Sequence, residues 1–149
     1  MTRVCVHGLG FVGLPTAAIL ATSGFDVYGF DTSSAKREAI RAAELDGSEP
    51  ELSDLIGEAL ESGNLTVVDA PRAADYHLIC FPTPLSDENE PELSLVEAAT
   101  NSIGDLVGDG DTVVLESTVP PLTTKEVLSP ILDRAAPDDA TINIAFCPE

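Results

Sequence analysis

The chain has 149 residues, enough for one domain with a real core, and 44% of them are hydrophobic, which excludes a disordered tail. Twenty-six acids stand against seven bases, a net charge of −19, and such a surface repels phosphate backbones and anionic lipid, which argues against nucleic-acid and membrane partners. Multimolar salt shrinks the Debye length to about 3 Å or less and makes that charge density tolerable, so the acidity reads as a halophile adaptation rather than a binding device.

The N-terminus enters a β-like run at once, Arg3–His7, with no signal-peptide core or cleavage site before it. A helical pattern follows over Phe11–Thr22. It is broken by Gly13, Pro15 and Gly24 and is too short to span a bilayer. Next come a strand at Asp26–Phe30, a helix at Ser33–Ala43 with Ser33 as its cap, and a helix at Glu51–Glu61; Gly24 and Gly63 are placed as stop signals. Strands are predicted again at Leu65–Val68 and His77–Phe81. The acidic, proline-rich stretch Pro82–Leu93 reads as an exposed loop. Ser94 then caps a helix over Leu95–Leu106, a strand runs Thr112–Leu115, a helix spans Thr123–Ala135 and a last strand covers Thr141–Phe146. This alternation means βαβ units, hence an α/β fold of the Rossmann type: a doubly wound parallel sheet of about six strands covered on both faces. The three cysteines (Cys5, Cys80, Cys147) are odd in number, lie in or beside apolar runs and show no metal-binding or disulfide spacing, which fits a reducing cytoplasm.

The strongest short signal is "VHGLGFVG", in which Gly8, Gly10 and Gly13 form a G-x-G-x-x-G directly after a strand and opening a helix. The first glycine makes the tight turn, the second lets a pyrophosphate approach the backbone, and the third lets helix and strand pack closely. The helix N-terminus then offers free N–H groups and a positive dipole end to the phosphates. A second strand ends in Asp31 at the distance where a carboxylate accepts hydrogen bonds from ribose hydroxyls and repels a 2′-phosphate, which favours NAD over NADP. The bland alternative is a structural turn beside an incidental surface aspartate. "CFPTPLS" places Thr83 between two prolines after the fourth strand, either as a rigid wall of the cofactor cleft or as an ordinary proline-rich turn. "LESTVPPLTT" repeats the pattern after the fifth strand, where Thr123 is the natural N-cap of the next helix. The sequence ends in "FCPE". All these motifs fall at the carboxyl ends of strands, where a doubly wound sheet binds its ligands, and Glu149 is expected to face the same crevice.

Together "GLGFVGLPTA", "GFD", "PTPLS", "ESTVPPLTT" and "FCPE" resemble the UDP-glucose/GDP-mannose dehydrogenase superfamily along the whole chain, and most of all its UDP-N-acetylmannosaminuronate or UDP-N-acetylglucosamine 6-dehydrogenase branch. With the acidity, the resemblance suggests a haloarchaeal member. It implies a two-step, four-electron oxidation of a UDP-sugar C6 alcohol to a carboxylate, with NAD as oxidant and a cysteine thioester on the way. It implies cofactor-binding roles for Gly8, Gly10, Phe11, Val12, Gly13, Asp31, Thr32, Lys36, Pro82 and Thr83. Thr118 would position a water, and Glu149 would do acid–base work on the thioester. The nucleophilic cysteine and its partners lie further along in that family and match nothing here, so central and substrate domains are expected beyond this chain, as is a homodimer of the whole protein. One departure is Leu122, where the family usually has glycine, a change expected to stiffen that turn.

Two rivals use the same glycines and Asp31: a non-catalytic dinucleotide-sensing module, and the N-terminal domain of a different NAD-dependent hydroxyacid dehydrogenase. The first does not explain the STVP and CPE motifs, and the PTP loop argues against the second. A structural alternative also exists for Glu149, which could merely cap a following helix.

Overall fold

The computed structural model describes residues 1–44, 50–86, 91–137 and 140–148. Six parallel strands form one sheet: β1 (Arg3–His7), β2 (Asp26–Phe30), β3 (Leu65–Val67), β4 (Tyr76–Ile79), β5 (Thr112–Leu115) and β6 (Asn143–Phe146), in the order β3-β2-β1-β4-β5-β6. In β1, Val4 and Val6 point to one face and Cys5 and His7 to the other, and all four are buried. A strand with no polar face can only sit in the middle of a covered parallel sheet. It pairs with β2 on one side (Val6 opposite Gly29) and with β4 on the other (Val6 opposite Leu78). Strand order therefore reverses between β1 and β4, which opens a crevice at their carboxyl ends.

Five α-helices cover the sheet: α1 (Gly13–Thr22), α2 (Ser34–Arg41), α3 (Pro50–Glu61), α4 (Ser94–Ile103) and α5 (Ser129–Ala135), the last preceded by a π-helical turn over Thr124–Leu128. On one face Ala17, Ala18 and Ala21 of α1 are fully buried against Val4, Val6, Val27 and Leu78, with Ile56 and Ala59 of α3 in the same cluster. The run of alanines lets the helix lie close to the sheet. On the other face Val96, Ala99 and Ile103 of α4 join Leu132 of α5 over Ile79, Val113 and Leu115. Truncating a buried leucine or isoleucine in either cluster to alanine costs about 2–5 kcal/mol.

Some boundaries differ from expectation for local reasons. The first helix begins at Gly13 rather than Phe11, because residues 11 and 12 belong to the glycine turn. Ser33 caps α2 as expected, accepting the Lys36 N–H at 3.3 Å. Ser94 and Thr123 do not act as caps. Ser94 is already inside α4, and the cap position falls to Leu93, which makes no side-chain bond. Thr123 has helical φ and ψ, and its hydroxyl donates back to the Pro120 carbonyl at 2.8 Å. β6 starts two residues late, and β4 runs from Tyr76 to Ile79 rather than from His77 to Phe81. Of the loop predicted over residues 82–93, residues 87–90 lie outside the described residues, and Leu85 and Pro91 pair across it.

The connection from β3 to β4, residues 68–75, carries no helix. It is pinned at one end by Asp69, which meets Arg41 at 2.8 Å and Arg37 at 3.2 Å, and at the other by Asp75, which accepts the Arg3 N–H at 2.7 Å. Val68 and Ala74 within it are buried.

Candidate cofactor site

The crevice between β1 and β4 holds a cavity of about 600 Å³, within the range of cofactor pockets. Its floor is the glycine turn. Gly8 sits at φ +95°, and a Cβ there would stand 2.9 Å from the Cys80 carbonyl oxygen. A Cβ on Gly13 would stand 1.8 Å from the Gly8 carbonyl oxygen. Both positions therefore demand glycine, for contact between α1 and the strands as much as for any ligand. Gly10 is different: a Cβ there would touch nothing within 4 Å. Its open side, with Phe11 and Val12, lines the cavity at the N-terminal end of α1. Backbone N–H groups and the positive end of the helix dipole at that place suit a pyrophosphate.

At one end of the cavity lies Asp31, 4% exposed. This carboxylate, expected to accept from ribose hydroxyls, already has partners within the chain. It accepts the Leu9 N–H at 2.9 Å, the Ser33 N–H at 3.0 Å and the Lys36 ammonium at 2.9 Å. Burial pushes its pKa up, but the bonds from Ser33, Lys36 and Leu9 outweigh burial and hold the carboxyl below its ordinary value. Arg37 braces the same turn: it donates to the Asp31 carbonyl at 2.7 Å and lies 5.8 Å over the Phe30 ring. Asp31 is thus fixed in place as an anion, with acceptor capacity left over for a hydroxyl partner.

The other end is built from the exits of β4 and β5. Pro82, Thr83, Glu116, Ser117 and Thr118 line it, with Cys80, Phe81 and Leu95. The two exits are tied together: Thr83 donates its hydroxyl to the Thr118 carbonyl, Ser117 donates to the Phe81 carbonyl at 2.7 Å, and the Cys80 thiol donates to Glu116 at 3.1 Å. This wall is apolar with a few directed polar groups, a suitable bed for a flat ring.

Ten of the expected residues line this one cavity: Gly8, Gly10, Phe11, Val12, Asp31, Thr32, Lys36, Pro82, Thr83 and Thr118. Gly13 does not, because it is buried beneath the turn. Glu149 lies outside the described residues. Sequence reasoning missed Ser33, Cys80, Phe81 and Leu95 as lining residues. The strand-end rule could have found Cys80 and Phe81. Leu95 enters from α4 across a long loop, and nothing local marks it. Of the three cysteines, Cys5 and Cys80 are buried and Cys147 is exposed beyond the end of β6. Leu122 has φ +73°, a conformation that favours glycine, so the departure at that position strains the turn instead of simply stiffening it.

Residues 2–149 match the UDP-glucose/GDP-mannose dehydrogenase family, NAD binding domain. The chain belongs to that family. It is 39% identical over 152 residues to the UDP-N-acetyl-D-mannosamine dehydrogenase of Methanococcus aeolicus, covering all of this chain and 34% of that protein. Its Yersinia pestis counterpart is 39% identical over 155 residues, covering 98% of this chain and 37% of the relative. Among solved structures, the UDP-N-acetyl-mannosamine dehydrogenase of Staphylococcus aureus superposes with a TM-score of 0.92 at 32% identity, over 99% of this chain and 37% of the other. The chain thus spans about a third of the length of these relatives. Its six-stranded parallel sheet is the Rossmann-type fold of that NAD-binding domain, and NAD is its cofactor. No described helix is long and apolar enough to cross a membrane.

Proposed function

We propose that this NAD-binding domain serves a cytoplasmic UDP-sugar 6-dehydrogenase that oxidises the C6 alcohol of a UDP-N-acetylhexosamine to a carboxylate in two NAD-dependent steps. The observation that carries the reading is the continuity of the cavity, from the Asp31–Lys36 pair, past the open face of Gly10, to the Thr83–Thr118 bridge. Bound there, NAD would supply the hydride acceptor for each oxidation. The chain's own residues bind and orient. Asp31, with Thr32 and Lys36 beside it, takes the adenosine ribose. The Gly8–Gly13 turn with Phe11 and Val12 takes the pyrophosphate. Pro82 and Thr83 flank the nicotinamide, and Thr118, fixed through its backbone by Thr83, presents its hydroxyl to a water. Glu149, three residues after the end of β6, acts as acid and base. The names of the relatives support the substrate class, and their greater length supports a sugar pocket, a nucleophile and a homodimer interface built by further chain.

The test uses residues 1–149 and the complete protein side by side. The 149-residue chain binds NAD but produces no NADH from UDP-N-acetylmannosamine or UDP-N-acetylglucosamine, whereas the complete protein does. In the complete protein Glu149→Gln lowers turnover by about 10²–10⁴, the worth of a well-placed acid–base group, with NAD affinity nearly unchanged. Robust UDP-sugar-dependent NADH production by residues 1–149 alone overturns the proposal. A loss of about 1 kcal/mol of stability with normal turnover in Glu149→Gln would show a helix cap instead.

A further inference from the structure

On the sheet face away from α1, three potential metal ligands meet that the cofactor site does not use. Cys5 and His77 are directly opposite each other on β1 and β4, and His7 stands two residues beyond Cys5 on the same face. All three are 0% exposed, and one donor atom from each lies within 4.8 Å of the other two. We propose that Cys5, His7 and His77 form a binding site for a soft monovalent d¹⁰ metal ion, copper(I), inside the sheet.

The geometry favours an ion over a simple histidine pair. Nε2 of His7 lies 3.2 Å from Nδ1 of His77, with the rings stacked 30° from parallel. Two nitrogens that share one ion at bond lengths of about 2.0 Å, tetrahedral or trigonal, lie about 3.3–3.5 Å apart, so the imidazoles already hold almost the required separation. Without an ion the pair has room for one shared proton and one hydrogen bond, and the far nitrogens, His7 Nδ1 and His77 Nε2, have no partner. Cys5 closes the set with a shift of about an ångström, since its sulfur lies within 4.8 Å of the two nitrogens and sulfur and nitrogen on one ion stand about 3.6 Å apart.

Charge selects the ion. Both imidazoles would bind through a neutral ring nitrogen and Cys5 through its thiolate. Binding therefore breaks one S–H bond, forms one S–metal bond and releases one proton to water. Nothing is oxidised or reduced. With a monovalent ion the thiolate complex is neutral, as an apolar interior requires; a divalent ion leaves one buried positive charge. Three donors from sulfur and imidazole also suit copper(I), which accepts three ligands, better than a closed structural zinc site, which takes four.

The test titrates the 149-residue chain anaerobically with copper(I) against bathocuproine disulfonate, and separately with zinc(II) against a chromophoric chelator. A Cys147→Ser background removes the exposed thiol. One copper(I) is retained per chain, one proton is released, and X-ray absorption shows one sulfur and two imidazole nitrogens on the metal. Cys5→Val and His77→Leu each weaken retention by about a hundredfold or more, beyond the cost of losing an outer-sphere partner. Circular dichroism and NAD binding establish that these variants are folded. If either fails to fold, Cys5→Ala and His7→Gln take its place. Failure to hold copper(I) against the chelator, retention unchanged in Cys5→Val, or tighter zinc(II) than copper(I) each overturns the proposal.

Discussion

The two halves of this domain solve the same problem with different means. Residues 1–75 build β1–β3 with five of the seven bases and twelve acids, net −7. Four of those bases are used in ion pairs: Arg3 with Asp75, Lys36 with Asp31, and Arg37 and Arg41 with Asp69. Residues 76–149 build β4–β6 with two bases against fourteen acids, net −12. That half holds its wall of the crevice through prolines, hydroxyl–carbonyl bonds and one thiol–carboxylate bond. The first wall is preorganised by charge and backbone N–H groups; the second by packing and hydroxyl–carbonyl bonds.

Acid should break the comparison most strongly, because it attacks the seam between the halves, where His7 of β1 meets His77 of β4. In the metal-free chain both rings stay neutral when folded, with values of about 3 and about 4, against 6.5 when unfolded. Their contribution is fully present above pH 6.5 and is lost as pH falls towards 4, because the unfolded state takes up protons that the folded state refuses. The coupled pair accounts for on the order of 5 kcal/mol. A denaturant series from pH 7.5 to 4.5 should show the fall, and His7→Val with His77→Leu should flatten it. Unchanged pH dependence in the double variant would contradict the assignment. Asp31 has the same sign lower on the scale, its stabilisation lost only as pH drops through its depressed value.

Next in size is Gly13→Ala. The added methyl must displace the Gly8 carbonyl, which should cost about 3 kcal/mol and weaken NAD binding with it, as read by thermal melts and calorimetry. Gly10→Ala meets nothing within 4 Å and should leave stability within about 0.5–1 kcal/mol of the parent while still impairing NAD. Equal melting temperatures for the two variants would remove the distinction between a packing glycine and a ligand-facing one.

Salt sharpens the contrast between the halves. Raising KCl from dilute buffer to molar concentration should raise the melting temperature, because screening relieves self-repulsion. Hydrogen-exchange protection should rise more in α4 and α5 than in α1 and α3. A uniform gain would mean that the uneven charge has no local effect.

The smallest expected effect is Leu122→Gly. Relief of a left-handed leucine, less the backbone freedom that glycine adds to the unfolded chain, should stabilise by about 0.5–1 kcal/mol. A loss of stability would show that the exposed leucine packs usefully.

Much of this was legible in the sequence because it depends on local chemistry. The glycine turn, Asp31 at the end of β2 and the cap at Ser33 follow from spacing alone. The engagement of Asp31 was not legible, since the Leu9 N–H reaches it from another strand's exit and Lys36 from the next helix. The meeting of Cys5, His7 and His77 was hidden for the same reason: strand register joins residues seventy positions apart, and no linear motif records it. Ser94 and Thr123 look like caps by composition, yet tertiary packing sets where their helices start.

The central claim is that one crevice, shared by both halves, holds NAD. Amide chemical-shift mapping of the 149-residue chain during an NAD titration in high salt tests it most directly. The account predicts shifts at Gly10, Phe11, Val12, Asp31 to Ser33, Thr83 and Thr118 together, and markedly weaker shifts with NADP. Shifts confined to one half, or equal responses to the two cofactors, would contradict it.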